Sequence, residues 1–377
     1  MAKNSWFRKA ERFVREYTRG AGADDIRRLF DRDAAQAYGV VTRDHEGTEP
    51  AGRVRRFLYR AKILFLGLSF RLAPPRRVLF AACILFAVLA LQNVDPTSGS
   101  GGQFMLFHVL SVAGLVLLIV LELADRIQVR DELEVARELQ RDLLPTEAPE
   151  VPGWSFAFSY RTANTIGGDY YDFIGLSDGR LAVVIGDASG HGIAAGLLMA
   201  IASSALRLAI DVDAEPASVA PFVNRALCRS GGQRAFMTLF YGVLDPATGR
   251  LDFVNAGHPY PMLRRSDGSV VELGEGGLPL GLRGGLASPT GSVTVERGEQ
   301  LLLFTDGIVE TINTGGSDYG YDRLRRALEL GGSADAIHDR VGGEVAAFQG
   351  DAPTHDDRSL VVVMRAHDLP PVPPTGS

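Results

Sequence analysis

LAVVIGDASGHG, residues 181–192, decides the reading of this chain: an apolar, β-branched run enters Gly186-Asp187 and leaves through small residues and glycines. A run of this kind is a buried strand. Its carboxylate then stands at the rim of a sheet. Outward from it the same texture recurs, with strands expected at WSFAFSY (154–160), AFMTLFYGVLD (235–245), LDFVNAG (251–257), QLLLFTD (300–306) and SLVVVMR (359–365). Hairpin chemistry at Asp178-Gly179, Asp245 to Gly249 and Asp267-Gly268 joins several of them, which makes the sheet mostly antiparallel. Helical stretches are expected at 192–210, 216–229 and 321–348. Strands and helices do not alternate strictly, so a layered α+β domain is favoured over a doubly wound one.

Acidic residues at strand ends beside glycines are the chemical signal. Asp169 lies in IGGDYYDF, Asp187 in VVIGDASGHG, Asp306 in LLLFTDGI, and Asp356 with Asp357 in THDDRSLVVV. Each alone reads equally as an Asp turn, as Asp178 and Asp267 do. Asp187 and Asp306 differ in ending apolar runs. Carboxylates that converge repel one another and raise their own pKa values unless cations compensate them. Oxygen ligands without a Cys or His cluster select hard cations, Mg²⁺ or Mn²⁺, over zinc or copper. Two such ions, about 4 Å apart, suit hydrolysis of a phosphoester.

The ordered motifs GGDYYDF (167–173), VVIGDASGHG (183–192), NAGHPYP (255–261), LLLFTDG (301–307) and DDRS (356–359) resemble those of the bacterial SpoIIE-like branch of the metal-dependent protein serine/threonine phosphatases. The preceding ARELQRDLLP (136–145) resembles that family's linker. The likeness covers about residues 136–366. It implies an α-β-β-α sandwich, a pair of Mn²⁺ or Mg²⁺ ions, and a phosphoserine or phosphothreonine protein as substrate, of the anti-sigma-antagonist type. Position by position it makes Asp187 the bridging ligand and Ala188 a backbone-carbonyl ligand. Asp306 and Asp356 become ligands of the other ion, Asp169 completes the cluster, and Asp357 is a neighbour able to substitute. Two departures stand out: Ala188, harmless because only its carbonyl is used, and Arg358, where many relatives carry an apolar residue. His191, four residues after Asp187, is a candidate proton donor to the leaving oxygen, with helix initiation through Ser189 to Gly192 the favoured role. His258 reads as a structural loop residue near the site.

The rest of the chain is different in character. Its 377 residues, 46% hydrophobic and 22% charged, exclude a disordered or collagenous protein. Two distant cysteines, Cys83 and Cys228, exclude a disulfide framework. Residues 1–77 carry 18 Lys+Arg against 9 Asp+Glu, a charge of +9, so the other 300 carry −15 to reach the net −6. A basic head on an acidic body argues against nucleic acid and for an anionic surface. The head contains two amphipathic segments, one around Trp6 to Tyr17 and one after Asp24.

Residues 78–94 and 104–123 are apolar runs of the length that crosses a ~30 Å hydrocarbon core, and read as a transmembrane hairpin. Arg71, Arg76 and Arg77 precede it and Arg126 and Arg130 follow it, while DPTSGSGGQ between the runs has no Lys or Arg. Both termini are therefore expected in the cytoplasm, under an inner membrane. Ile63 to Phe70 is too short to span, and the apolar 192–206 run is ended by Arg207. From 124 to 145 a linker helix carries Val129, Leu133, Ala136, Gln140 and Leu143 at heptad spacing, a stripe suited to a homodimer. The domains are thus expected as a basic head (1–77), the hairpin (78–123), the linker (124–145), a phosphatase domain (146–366) and a disordered tail (367–377). The rival reading is a silent phosphoprotein-binding scaffold that kept the fold without turnover.

Overall fold

The computed structural model describes residues 52–92, 101–230, 235–274, 276–285 and 289–367. The head's two amphipathic segments and all of the expected tail after residue 367 lie outside them. The chain divides into two compact units, Met1–Gln128 and Val129–Ser377.

In the first unit, α1 (Arg53–Arg71) contains the Ile63 to Phe70 segment, α2 (Pro74–Gln92) the first apolar run, and α3 (Gly101–Arg141) the second. Pro74 opens α2, where its missing N–H costs no helical bond. Small groups bring α2 and α3 together: a Cβ on Gly114 would come within 2.4 Å of Cys83 Sγ. The Ser111 hydroxyl donates to the Cys83 carbonyl at 2.9 Å, and Phe86 stacks on Phe107. Such close approach through small residues is how helices associate in lipid. Arg76 forks onto Asp125 at 2.7 and 3.0 Å. By length and composition α2 and α3 are candidate spans, and only 11% and 6% of their apolar windows are buried.

In the second unit, α3 ends at Arg141 and a turn leads to Pro145. Ten strands follow: β1 (Trp154–Arg161), β2 (Asp169–Gly175), β3 (Leu181–Ala188), β4 (Met237–Leu244), β5 (Arg250–Ala256), β6 (Met262–Arg264), β7 (Val270–Glu272), β8 (Thr290–Thr294), β9 (Gln300–Phe304) and β10 (Arg358–Arg365). They form two five-stranded sheets, β1-β10-β9-β6-β7 and β2-β3-β4-β5-β8. Every pairing in both is antiparallel.

Alternation of side chains along a strand divides the burial between two cores. Leu301, Leu303, Val361 and Val363 join Val183, Ile185 and Phe240 of the other sheet. Leu302, Phe304, Leu360 and Val362 face the opposite way, onto helices. Those helices are α7 (Tyr321–Glu329) and α8 (Ala334–Gln349), after the short α6 (Asp306–Val309). The other sheet carries α4 (Ile193–Val212) and α5 (Pro216–Ser230). In α4 the positions Leu198, Met199, Ala202, Ala205, Leu206 and Ala209 are buried at helical spacing. This helix is also long and apolar enough to span, yet 56% of its window is buried, so it is a core helix. Arg207 on it pairs with buried Asp172.

Two expectations are corrected. The stretch 321–348 is two helices, because Gly331 and Gly332 take φ of +62° and +133°, left-handed backbone that ends one helix. Ser333 then caps the next through Ala336 N–H at 3.2 Å. Asp306 does not extend β9: the strand stops at Phe304, Thr305 takes the position before the helix with extended backbone and no side-chain cap, and Asp306 opens α6.

Candidate functional site

The register of β2 against β3 sets Asp169 directly opposite Asp187. Asp169 is buried, and its Oδ2 accepts from the Thr305 hydroxyl at 2.7 Å and the Ser359 hydroxyl at 2.8 Å. Ser359 N–H also donates to Thr305 Oγ1 at 2.9 Å. One carboxylate on β2 thus pins the end of β9 and the start of β10, and so joins the two sheets at this rim. Burial and the Asp187 charge hold the Asp169 pKa well above the ordinary range.

Asp187 is pushed up to about 8, first by burial and then by the charges of Asp306, Asp356 and Asp357. Asp306 is pushed up to about 6 by burial, Asp356 and Glu310. Its Oδ1 is buried without a hydrogen-bond partner. The five sequence-chosen aspartates, Asp169 included, therefore feel one another, and Glu310, one turn after Asp306, joins them. Nothing in the sequence signalled Glu310 except that spacing. A recess of about 140 Å³ borders Glu310, Gly307, His355 and Asp356. Among the described residues no three Asp, Glu, His or Cys side chains close around a single point.

Ala188 is fully buried, and its N–H donates to the Gly168 carbonyl at 3.2 Å. A Cβ on Gly168 would stand 2.8 Å from the Ala188 carbonyl oxygen and 3.2 Å from Asp187 Oδ1. Gly168 thus keeps clear a space that those two oxygens face. A buried orphan oxygen, mutually repelling carboxylates and this cleared space fit a hard divalent cation.

Asp357 is used differently from its neighbour. Its Oδ1 accepts Ala163 N–H at 2.7 Å and its Oδ2 accepts Gly168 N–H at 2.6 Å. Asp356 is exposed beside Asp306. His191 is exposed in the turn between β3 and α4, where Gly190 and Gly192 take φ of +96° and +68°. His258 is buried; its N–H donates to Asn255 Oδ1 at 2.8 Å and its Nδ1 meets the Thr238 hydroxyl at 3.0 Å.

Burial pushes the His258 pKa down to about 3. The unfolded chain takes up that proton below about pH 6.5 and the folded one does not, so stability falls as pH drops from 6.5 toward 3. His258→Gln should flatten the slope of unfolding free energy against pH by about 1.4 kcal/mol per unit in that window. Urea titrations at several pH values measure it; an unchanged slope would refute a buried neutral His258.

Sequence reasoning missed Gln140. On the last turns of α3 its Nε2 donates to the Gly167 carbonyl at 2.6 Å, and its Oε1 accepts Gly167 N–H at 3.1 Å. The amide imitates a peptide partner and fixes Gly167, beside the Gly168-Asp169 pair. Heptad spacing hid this, because a buried polar residue at such a position reads as a register device. Leu144 is buried in the same core and Leu143 packs against it, so the end of the stripe faces its own unit.

The family model for Stage II sporulation protein E matches residues 177–366, just over half of the chain. Protein IcfG of Synechocystis is 28% identical over 276 residues, covering 66% of this chain and 43% of that protein. Phosphoserine phosphatase RsbU of Bacillus subtilis is 26% identical over 241 residues, covering 63% of this chain and 71% of its own. The chain thus spans less than half of IcfG and under three quarters of RsbU. The SiaA-PP2C domain of Pseudomonas aeruginosa has the same fold, with a TM-score of 0.57 at 23% identity over 64% of this chain and 98% of that one. With its ordered aspartate motifs set on two antiparallel sheets, the chain belongs to the SpoIIE family, in the SpoIIE-like branch of the metal-dependent protein serine/threonine phosphatases.

Proposed function

We propose that this chain is a membrane-tethered protein phosphatase that removes phosphate from phosphoserine or phosphothreonine on a cytoplasmic signalling protein. The observation that carries the reading is the set of carboxylates at one sheet rim, two of which, Asp169 and Asp187, stand directly opposite each other on β2 and β3. Asp187, Asp306, Asp356 and the Ala188 carbonyl are the groups that would hold two Mn²⁺ or Mg²⁺ ions, with Asp169 completing the set. Such ions supply positive charge against the charge that develops on a transferring phosphoryl group, and they acidify water. The chain's own residues keep the oxygens in place: Thr305 and Ser359 orient Asp169, Asp357 holds the Gly168 N–H, and Gln140 holds Gly167. His191, exposed in the adjoining turn, is free to meet a substrate, and its role as proton donor is the less favoured of its two readings.

The two cores support an α-β-β-α layering of the catalytic domain. The phosphatase domain is proposed to end near residue 366, both termini to lie in the cytoplasm, and α2 and α3 to form two inner-membrane spans. The family resemblance suggests a regulator of the anti-sigma-antagonist type as the phosphorylated partner, and the name of the relative RsbU, a phosphoserine phosphatase, agrees with a phosphoserine on it. A homodimer through the exposed part of the linker remains part of the proposal. Because α3 runs unbroken from the apolar segment to Gln140, a signal that turns this helix would release or engage Gly167.

The test is manganese-dependent hydrolysis of a phosphoserine protein by the full chain, compared with Asp187→Asn. Turnover absent from the wild type would leave the silent scaffold as the reading. Gln140→Ala should weaken metal affinity, as read by manganese titration, because it frees Gly167 and with it the Gly168-Asp169 pair. Unchanged affinity would remove Gln140 from the positioning of the site.

A further inference from the structure

Ser359 turns inward to Asp169, so by strand alternation Arg358 and Leu360 turn to the opposite face of the sheet, toward α8. There Arg358 stands directly across from Arg161 on β1. Like charges opposite each other on neighbouring strands are destabilising. Neither arginine has a carboxylate partner among the described residues; Arg358 donates from Nη2 to the Thr354 hydroxyl at 3.1 Å. Arg358 is only 8% exposed, and its Nε is buried without a partner.

A cavity of about 340 Å³ opens between these strands and α8, lined by Ser159, Arg161, Arg358, His338, Gly342 and Gly343. His338 Nε2 is also buried without a partner. The carboxylate on the wall, Asp339, is exposed and engages His338 Nδ1 at 3.2 Å. Gly342 and Gly343 lie inside α8, where each costs about 1 kcal/mol relative to alanine. No close packing demands them, since a Cβ on either would meet nothing within 4 Å. They leave the space open. The wall therefore offers two guanidinium groups, a hydroxyl and an imidazole around a void, back to back with the carboxylate rim.

We infer that this cavity is a binding site for a small phosphate dianion, held between Arg161 and Arg358 and separate from the proposed catalytic centre. Two permanent positive charges, a buried one on Arg358 and an exposed one on Arg161, match a dianion better than a monocarboxylate, and guanidinium forks suit phosphate oxygens. The volume admits free phosphate or a small phosphate monoester.

Calorimetric titration of the full chain in detergent, with metal removed by EDTA, tests the proposal apart from turnover. Inorganic phosphate should bind at one site with a Kd on the order of 1 mM or below. Arg161→Met combined with Arg358→Met should weaken it at least tenfold, while Asp187→Asn should leave it unchanged. Gly342→Leu guards against misfolding: leucine favours the helix, fills the void and should abolish binding without lowering the melting temperature. Glycerol phosphate binding more tightly than inorganic phosphate would assign the site to a monoester, and the reverse order to free phosphate. Absence of saturable phosphate binding, equal binding of acetate, or binding unchanged in both the arginine and the Gly342→Leu variants would overturn the assignment. None of these results depends on whether the enzyme is active.

Discussion

Asp187→Asn should lower metal-dependent phosphatase turnover by on the order of a thousandfold, the several kcal/mol a metal-centred charge clamp supplies. The same substitution should make the metal-free protein more stable than the wild type at pH 8. The two effects have one cause. Asp187 faces Asp169 across β2 and β3, and burial together with Asp306, Asp356 and Asp357 holds its pKa up to about 8. A carboxyl group whose folded pKa is raised contributes stability that is present below its unfolded pKa, near 3.9, and is lost as pH rises toward 8. Ionising Asp187 in the metal-free fold therefore costs a few kcal/mol across that window. Asparagine keeps the shape and carries no charge, so the gap between variant and wild type should open from about pH 4 upward and be widest at pH 8. Added manganese should reverse the order, because it binds the folded wild type and stabilises it by mass action. Thermal melts with EDTA and with manganese at several pH values, beside a phosphoserine-protein assay, measure both. A variant that is destabilised without metal would mean that Asp187 is a satisfied structural carboxylate.

Much of this site was legible because burial leaves a trace in composition. Asp187 follows an apolar run, and a carboxylate at the end of a buried strand has few structural reasons to be there. The five ordered motifs carried the fold class, and the alternation in LLLF and LVVV became two cores, one on each face of the same strands. Weak segments were not legible: β6 and β7 are three residues each, too short for a period of two to show. The break at Gly331-Gly332-Ser333 has a local signature, a C-terminal glycine followed by a capping serine, which the single 321–348 stretch left out of account. Gln140 was hidden for a deeper reason. Its function depends on a backbone peptide 27 residues away, which no local pattern encodes. Arg358 was noticed only as a departure; the cross-strand partner that gives it meaning, Arg161, comes from a register that sequence alone leaves free.

Asp356 and Asp357 are neighbours in the sequence, the first matched to a ligand and the second able to substitute, and they differ in the fold, so a matched pair of substitutions should separate them. Asp357→Ala should destabilise the protein by about 3 kcal/mol or more, because it strands backbone N–H groups that now donate to a carboxylate, each such bond being worth roughly 1.5–3 kcal/mol. The donors are Ala163 at 2.7 Å and Gly168 at 2.6 Å, which bracket the segment leading into β2. Gly168 is also the residue that clears the space before the Ala188 carbonyl and Asp187, so losing its anchor loosens the rim itself. Asp356 is exposed, and the bond it accepts comes from the N–H of Asp357, next in the chain. Asp356→Ala should therefore leave the melting temperature of the metal-free protein near that of the wild type. It should nonetheless cost activity on the scale of a lost ligand, since its charge is among those that lift Asp306. Urea unfolding with EDTA and manganese-dependent turnover, measured on both variants, give four numbers. The assignment of the metal-facing role to Asp356 stands if stability fails in one and activity in the other. If Asp357→Ala unfolds too readily to assay, Asp357→Asn retains an acceptor for one N–H and should recover part of the stability and of the turnover. Activity lost in Asp357→Asn at full stability, with Asp356→Ala still active, would exchange the two roles.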